Sequence, residues 1–378
     1  MTDASISLPL PTVRREDGVG SRCAEFLLVG GGTLLLFPLS WWLQHYVGVE
    51  PSELAAGMFT FYAAYVINDP HFSVTYLLFY KDLKARAFGG QFSRAQRWRY
   101  WMAGVFGPLL LVSWAAAALW LRSAEALGWM IQLMFLLVGW HYVKQGFGVL
   151  TVLSQRRGEA LSGRERSVFL FHCFAAWAYA WASPAVPAGQ YEEKGVLYWA
   201  VPRPAELEWL AALVLGASTL SLAGVLGAKW RRERRLLPLT PLLGFLITIW
   251  SWTIYSTIDP LVRYAIPALH SLQYLYFVWL MKGQQARAEE GPPVFGRSVN
   301  ARLGLLAVSA LGLGWLLFRG VPTFLDDVFV PHSRRLTGLE PLGATPFFAA
   351  FFVVVNIHHY LMDYVIWRRE NPETRYLR

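Results

Sequence analysis

Apolar stretches of about twenty residues recur along the whole chain and are separated by short polar segments. Stretches of this length are typical of helices that cross a lipid bilayer. The pattern predicts an all-α fold, a polytopic membrane bundle of about ten transmembrane helices that forms one domain over 24–367. The predicted helices cover 24–47, 53–80, 98–121, 125–154, 165–184, 206–228, 237–258, 260–281, 300–320 and 344–367.

Lysine and arginine are concentrated in alternate gaps between these helices. The segments "KDLKARAFGGQFSRAQRWR", "QRRGEALSGRER" and "KWRRERR" are basic, whereas 48–52 contains neither residue type. Because cytoplasmic loops carry the excess of lysine and arginine, this alternation predicts that both termini are cytoplasmic. Residues 1–23 are then a cytoplasmic tail, and 368–378 form a basic cytoplasmic tail at the other end.

The formal net charge is +9. Since the basic residues follow the predicted topology, we attribute the charge to orientation in the lipid bilayer and expect no nucleic-acid partner. The prediction is a multi-pass protein of a bacterial inner membrane. The chain has two cysteines, Cys23 and Cys173, so neither a disulfide framework nor a CxxC metal site is available.

Histidines lie at similar depth in four predicted helices that run in the same direction. Counted from the basic residue at the cytoplasmic flank, they lie roughly 15–22 Å deep at a rise of ~1.5 Å per residue. A single shared centre requires such a layer, so we predict that these residues bind a metal. The predicted ligands are His71, His141, His270, His358 and His359. His172 lies nearer the inner surface, and its participation stays open.

Further polar residues lie at the same depth or one helical turn from these histidines. Asp363 follows His359 by four residues, so it either binds the metal or orients that imidazole. Asp69 and Lys144 are charges inside predicted spans, which require partners. We predict that Asp363, Asp69 and Lys144 take part in catalysis. Groups expected to support the ligands are Asn68, Gln145, Gln273, Tyr274 and Asn356.

Imidazoles with a carboxylate and no thiolate suit non-heme iron, of one or two ions, with copper or zinc as alternatives. A histidine-rich iron site in a membrane predicts an oxygenase or desaturase that acts on a lipid-like or isoprenoid substrate, with a possible electron donor. Two other functions remain open. One is a b-type heme protein for electron transfer or gas sensing, and the other is a proton- or ion-coupled transporter.

The blocks "PALHSLQYLYFVW" and "NDPHF" resemble motif blocks of the bacterial Brp/Blh family, which are membrane carotenoid-cleaving dioxygenases. The resemblance covers about twenty residues, and the Pro-His-Gly block of that family matches only as Pro70-His71. It implies oxygen chemistry at an iron ion that is bound by histidines from several helices. It implies no particular substrate.

Overall fold

The computed structural model describes residues 19–183, 187–256, 258–331 and 341–377. Most of the predicted tail 1–23 lies outside these residues. A short hairpin pairs β1 (Gly189–Glu193) with β2 (Val196–Ala200) in antiparallel register. The helices are α1 (Val19–Phe26), α2 (Thr33–Tyr46), α3 (Val49–Ala63), α4 (Asn68–Tyr80), α5 (Leu83–Phe88), α6 (Arg94–Trp120), α7 (Ala124–Arg156), α8 (Gly163–Ala182), α9 (Ala205–Glu233), α10 (Leu239–Ile254), α11 (Pro260–Glu290), α12 (Val299–Phe329) and α13 (Pro346–Ile366).

Five helices in the described part of the chain, α6, α7, α9, α12 and α13, are long and apolar enough to cross a membrane. A π-helical turn joins α1 to Gly32, where the chain bends by 66° before α2. This bent pair makes a sixth candidate span if it crosses the membrane as one unit. The candidate spans indicate a multi-pass helical membrane protein.

Every one of the ten predicted segments contains helix, although five of them are not continuous apolar helices of spanning length. One of the five is 24–47, which the bend between α1 and α2 divides. The segment 53–80 is divided, because α3 ends at Ala63 and α4 begins at Asn68. Helix α10 has only eight α-helical and eight π-helical residues. Helices α8 and α11 have the length but carry more polar residues. Five or six spans are therefore supported, and the number ten stays a prediction.

Helix α13 is the central helix of the bundle. In its most apolar window 72% of the residues are buried inside the protein, compared with 22–39% for the other four candidate spans. It packs against α4, α6, α7 and α12. Pro346 occupies the first turn, where the missing N–H has no helical partner to lose. The polar residues near the other end of α13 therefore face protein rather than lipid.

The predicted C-terminal tail 368–378 is packed against the bundle as far as Leu377, which is 3% exposed. Glu373 lies 3.0 Å from the Lys282 ammonium and 3.3 Å from the Arg86 guanidinium. Burial raises the pKa of Glu373, but the two cations outweigh this effect and hold the pKa below its usual value. These ion pairs fix the chain end to α5 and α11.

Helices α4 and α12 approach closely at Gly314. A Cβ atom at this position would lie 2.8 Å from the carbonyl carbon of Asp69 and 2.9 Å from its oxygen. One turn earlier in α12, the Ala310 carbonyl accepts a hydrogen bond of 2.5 Å from Ser73 Oγ. Glycine at position 314 therefore sets the distance between the two helices.

We expect the Gly314→Ala variant to be destabilised by about 1–3 kcal/mol, because backbone atoms that cannot rotate away would have to move. The measurement is the midpoint of heat-induced loss of the monodisperse peak in detergent. Gly312→Ala is the matched control on the same helix, since no heavy atom lies within 4 Å of its added Cβ. That variant should be neutral or gain up to about 1 kcal/mol. Equal midpoints for the two variants would contradict the close packing.

Candidate metal centre

Four histidines from four helices meet in the interior of the bundle. His71 comes from α4, His141 from α7, His270 from α11 and His359 from α13, and each residue is at most 4% exposed. One ring nitrogen from each lies within 4.8 Å of the others. These four members of the predicted histidine layer therefore form one compact cluster.

The break between α3 and α4 positions the first of these residues. Helix α4 begins at Asn68, and the Asp69 N–H donates to the Ala64 carbonyl at 2.8 Å. Pro70 stands in the first turn, where a missing N–H is tolerated. His71 follows directly, so its ring extends from the start of α4 into the bundle interior.

The spacing of the ring nitrogens fits a single metal ion. The Nε2 atoms of His141 and His270 are 3.1 Å apart. Metal–imidazole bonds of about 2.1 Å place neighbouring ligand nitrogens about 3.0–3.4 Å apart and opposite ones about 4.2 Å apart. Small ring rotations bring separations of up to 4.8 Å into this range.

A chain of hydrogen bonds determines which nitrogen of His71 carries the proton. Ser271 Oγ donates to Asn68 Oδ1 at 2.8 Å, and the same Oγ lies 3.2 Å from His71 Nδ1. Because the single hydroxyl proton is used on Asn68, the hydroxyl accepts from His71 Nδ1–H. The Nε2 atom of His71 therefore keeps a lone pair, as a metal ligand requires. Asn68 thus supports the ligand through Ser271.

Several ring nitrogens of the cluster are buried without a hydrogen-bond partner among the described residues. They are Nε2 of His71, Nδ1 of His270 and both ring nitrogens of His359. A buried polar atom without a partner costs about 1–3 kcal/mol. Neutral imidazoles are the commonest metal ligands in proteins, so this donor set fits a bound cation.

Asp363 places a carboxylate beside the cluster. Its Oδ2 atom lies 3.4 Å from His359 Nε2 and 3.7 Å from His141 Nε2. Its Oδ1 atom accepts a hydrogen bond of 2.9 Å from the Tyr274 hydroxyl, which lies 2.6 Å from Thr75 Oγ1. Tyr274 and Thr75 therefore hold one carboxylate oxygen and leave the other facing the imidazoles.

Gln145 and Gln273 connect the helices behind the cluster. Gln145 Nε2 donates to the His270 carbonyl at 3.1 Å and to Gln273 Oε1 at 2.8 Å. Gln273 Nε2 in turn donates to the Val29 carbonyl at 2.7 Å. Both glutamines thus fix the backbone that carries His270, and they make no contact with its ring nitrogens.

His358 does not join the cluster. Its Nε2 atom donates to the Ala103 carbonyl at 2.9 Å, and its Nδ1 atom lies 2.9 Å from the Tyr76 hydroxyl, which donates to it. Neighbouring residues point about 100° apart on a helix, so only one of two adjacent histidines can face a given point. Both ring nitrogens of His358 are satisfied, and none remains to bind a metal.

Asn356 is occupied within α13. Its Nδ2 atom donates to the Phe352 carbonyl at 2.7 Å, and its Oδ1 atom accepts from the Tyr360 hydroxyl at 3.1 Å. The Tyr360 ring packs 4.7 Å from the His141 ring. Asn356 therefore acts on the cluster only through the position of Tyr360.

Asp69 and Lys144, predicted as catalytic, lie apart from the four imidazoles. Asp69 is buried against Gly314 of α12, and the positive charge that acts on it is that of Arg319. The Lys144 ammonium lies 5.8 Å from the centre of the Phe147 ring. The two predicted charges thus do not pair with each other, and Lys144 instead lines a cavity.

His172 serves a different part of the bundle. Its Nδ1 atom lies 3.0 Å from Ser218 Oγ, which connects α8 to α9. Its ring packs 5.8 Å from Trp250 and 6.3 Å from Phe245. Its contacts are those of an interhelical packing residue.

A cavity of about 730 Å³ extends from the cluster to one end of the bundle. His141 and Asp363 line its inner part, and Arg368 and Leu377 line its outer part. Aromatic and aliphatic side chains form much of the remaining wall. They include Trp140, Phe147, Val152, Phe277, Tyr364 and Trp367.

The fold and the site together define a helical membrane protein with a buried, histidine-rich candidate metal centre. Comparison with protein-family models, curated proteins and solved structures found no match to this chain. The resemblance to the carotenoid-cleaving dioxygenases therefore stays a prediction.

Ser271 is not among the supporting residues that the sequence predicts. Ser271 follows His270 in the chain but contacts His71 of another helix. No spacing within one helix reveals such a pair. Thr75 does carry a signal, because it follows His71 by four residues and lies on the same helix face.

We expect Ser271→Ala to weaken metal affinity by about 10–100-fold, because His71 loses the acceptor that fixes its tautomer. The measurement is competition for the metal against a chelator of known affinity. The matched control is Ser221→Ala, an exposed serine whose hydroxyl donates only to the Ala217 carbonyl. An unchanged affinity in Ser271→Ala would show that this hydrogen bond does not prepare a ligand.

Proposed function

We propose that this protein is a membrane-embedded oxidoreductase, an oxygenase or desaturase, that holds non-heme iron and acts on a lipid-like or isoprenoid substrate. His71, His141, His270 and His359 would hold the metal. One observation carries the proposal. Hydrogen bonds through Ser271 and Asn68 leave a lone pair on His71 Nε2, and this nitrogen lies close to three further imidazoles. A purely structural polar network would give each of these nitrogens a hydrogen-bond partner.

The choice of iron rests on the ligand set and on the surroundings. Four imidazoles with a carboxylate suit iron, copper or zinc. The largely apolar cavity beside the cluster supports oxygen chemistry on a hydrophobic substrate. The ring-nitrogen spacing supports a single ion.

Bound iron would activate dioxygen. Hydroxylation consumes one dioxygen, two electrons and two protons, and yields one hydroxyl group and one water. Desaturation consumes the same reactants and yields one double bond and two waters, so both reactions require an external electron donor. Dioxygenase cleavage places both oxygen atoms in the product and requires none.

The protein's own groups would hold the metal, balance its charge and position the substrate. The Asp363 carboxylate supplies a negative charge 3.4 Å from His359 Nε2, which offsets part of a divalent cation's charge. Tyr274 keeps this carboxylate oriented through its hydrogen bond to Oδ1. The cavity would admit the substrate while its apolar wall limits access of water.

The geometry favours this function over the two alternatives. A b-type heme requires two axial histidines on opposite faces of a porphyrin, and four ring nitrogens within 4.8 Å leave no room for that ring. A proton relay through Asp69, Lys144 and Asp363 requires these groups to adjoin one another. Asp69 instead packs against α12, and the positive charge that acts on it is that of Arg319 rather than Lys144.

We also propose ten membrane crossings with both termini cytoplasmic, in a bacterial inner membrane. Near the N-terminal end Glu25 pairs with Arg157 and accepts a hydrogen bond of 3.0 Å from Tyr276. Near the C-terminal end Glu373 pairs with Lys282, two turns beyond Tyr276 on α11. Both described ends thus lie at the same end of the bundle, which supports an even number of crossings.

Purified protein should contain about one iron per chain, and substitution of a cluster histidine should remove it because three imidazoles bind much more weakly than four. We expect near-complete metal loss in His71→Ala and His359→Ala. The matched controls are His358→Gln and His172→Gln, buried histidines outside the cluster, which should retain the metal. The measurement is elemental analysis of monodisperse protein together with its optical spectrum.

Three outcomes of this experiment would contradict the proposal in whole or in part. Metal loss in His358→Gln equal to that in His359→Ala would place the centre elsewhere. A heme Soret band would favour the electron-transfer alternative. Stoichiometric copper or zinc in place of iron would retain the site and change the chemistry.

The reaction itself can be tested on membranes that contain the chain, supplied with isotopically labelled dioxygen. We expect a lipid-extractable product that carries labelled oxygen or has lost two hydrogens, detected by mass spectrometry. The product should be absent with His359→Ala and present with His172→Gln. A product that persists in His359→Ala would not come from this centre.

A further inference from the structure

The cavity beside the metal centre has basic side chains in its wall. Lys144, Arg166 and Arg368 all line it, outward from His141 and Asp363. Lys144 follows His141 by three residues, which is about 4.5 Å along α7. The positive groups therefore lie between the metal centre and the outer end of the cavity.

Aromatic rings hold these three cations in place of carboxylates. The Lys144 ammonium and the Arg166 guanidinium lie 5.8 and 4.9 Å from the centre of the same Phe147 ring. The Arg368 guanidinium stacks on Tyr364 at 4.3 Å, and its Nε donates to the Tyr364 carbonyl. Among the described residues none of the three forms an ion pair.

The charges of these residues reinforce one another. Arg166 and Arg368 are both close enough to act on the Lys144 ammonium by charge repulsion. Glu370 also lines the cavity, but its carboxylate pairs with Arg99 at 3.4 Å. Arg166 is exposed at the outer part of the cavity, and Arg368 and Lys144 are half-buried. Three like charges beside a largely apolar cavity therefore create a positive potential that attracts an anion.

We infer that the cavity binds an amphiphile with a long apolar chain and an anionic end group, a carboxylate or a phosphate. This inference rests on the proposed function, because it identifies the substrate class of the same centre. The anionic group lies against Lys144, Arg166 and Arg368, and the hydrocarbon chain extends along the aromatic wall to His141. A volume of about 730 Å³ is sufficient for a chain of this kind.

The test measures equilibrium binding of radiolabelled palmitate, hexadecyl phosphate and hexadecanol to the full-length protein in a non-ionic detergent. We expect both anions to bind at least about tenfold more tightly than the neutral alcohol, since each hydrogen bond between two charged groups strengthens binding by about that factor. The preference between palmitate and the phosphate identifies the end group. Equal binding of the alcohol would overturn the inference.

Variants locate the anion site. Arg166→Gln and Arg368→Gln should each weaken anion binding by about tenfold and leave hexadecanol binding unchanged. The matched control is Arg375→Gln, an exposed arginine at the same end of the bundle that stacks on Tyr376 and lies outside the cavity wall. Wild-type anion binding in both cavity variants would overturn the inference.

The metal content of the same samples separates this inference from the proposed function. Iron in the wild-type protein without any preference for anions would refute only the substrate class. Anion binding that depends on Arg166 and Arg368 in metal-free wild-type protein would refute the iron chemistry and support the anion site.

Discussion

The burial of four imidazoles and one carboxylate at a single point is the constraint on which the rest of the structure depends. A carboxylate inside an apolar bundle is costly unless a cation or strong hydrogen bonds compensate it. Tyr274 compensates one oxygen of Asp363, and the other faces the histidine cluster. A shared cation would satisfy both this oxygen and the unpartnered ring nitrogens. This polar cluster in the bundle interior thus lies at the point at which four helices meet.

This constraint also explains how the helices pack farther from the histidine cluster. Helix α13 must be central, because its polar turn requires protein on every side, and it is the most buried of the candidate spans. Glycines permit the close approaches around it. A Cβ at Gly146, one turn beyond His141, would lie 2.9 Å from Thr248. A Cβ at Gly314 would collide with the backbone at the start of α4. Small residues at such contacts are typical of helix packing in membranes.

The sequence predicted how deep in the bundle the histidine cluster lies, but not which way each side chain faces. Depth follows from the number of residues between a histidine and the basic end of its helix, and it identified His71, His141, His270 and His359. The rotation of each helix is set by its neighbours, so depth alone did not separate His358 from His359. Asp69 shares the depth of His71 but lies against α12, and its catalytic role stays a prediction. Contacts between helices, such as that of Ser271 with His71, leave no periodic signal in either helix.

The charge balance of the interior connects the centre to its cavity. A divalent cation bound by four neutral imidazoles and one carboxylate would leave a net positive charge. Lys144, Arg166 and Arg368 add three more positive charges along the wall that leads outward. Arg166 and Arg368 lie at the outer part of this wall and Lys144 is half-buried further in, so the cavity has a positive potential that a neutral ligand would not use. The proposed anionic end group would compensate these charges outside the reacting position, while the apolar chain would lie beside the centre. Such a ligand would match both the polar and the apolar parts of the cavity wall.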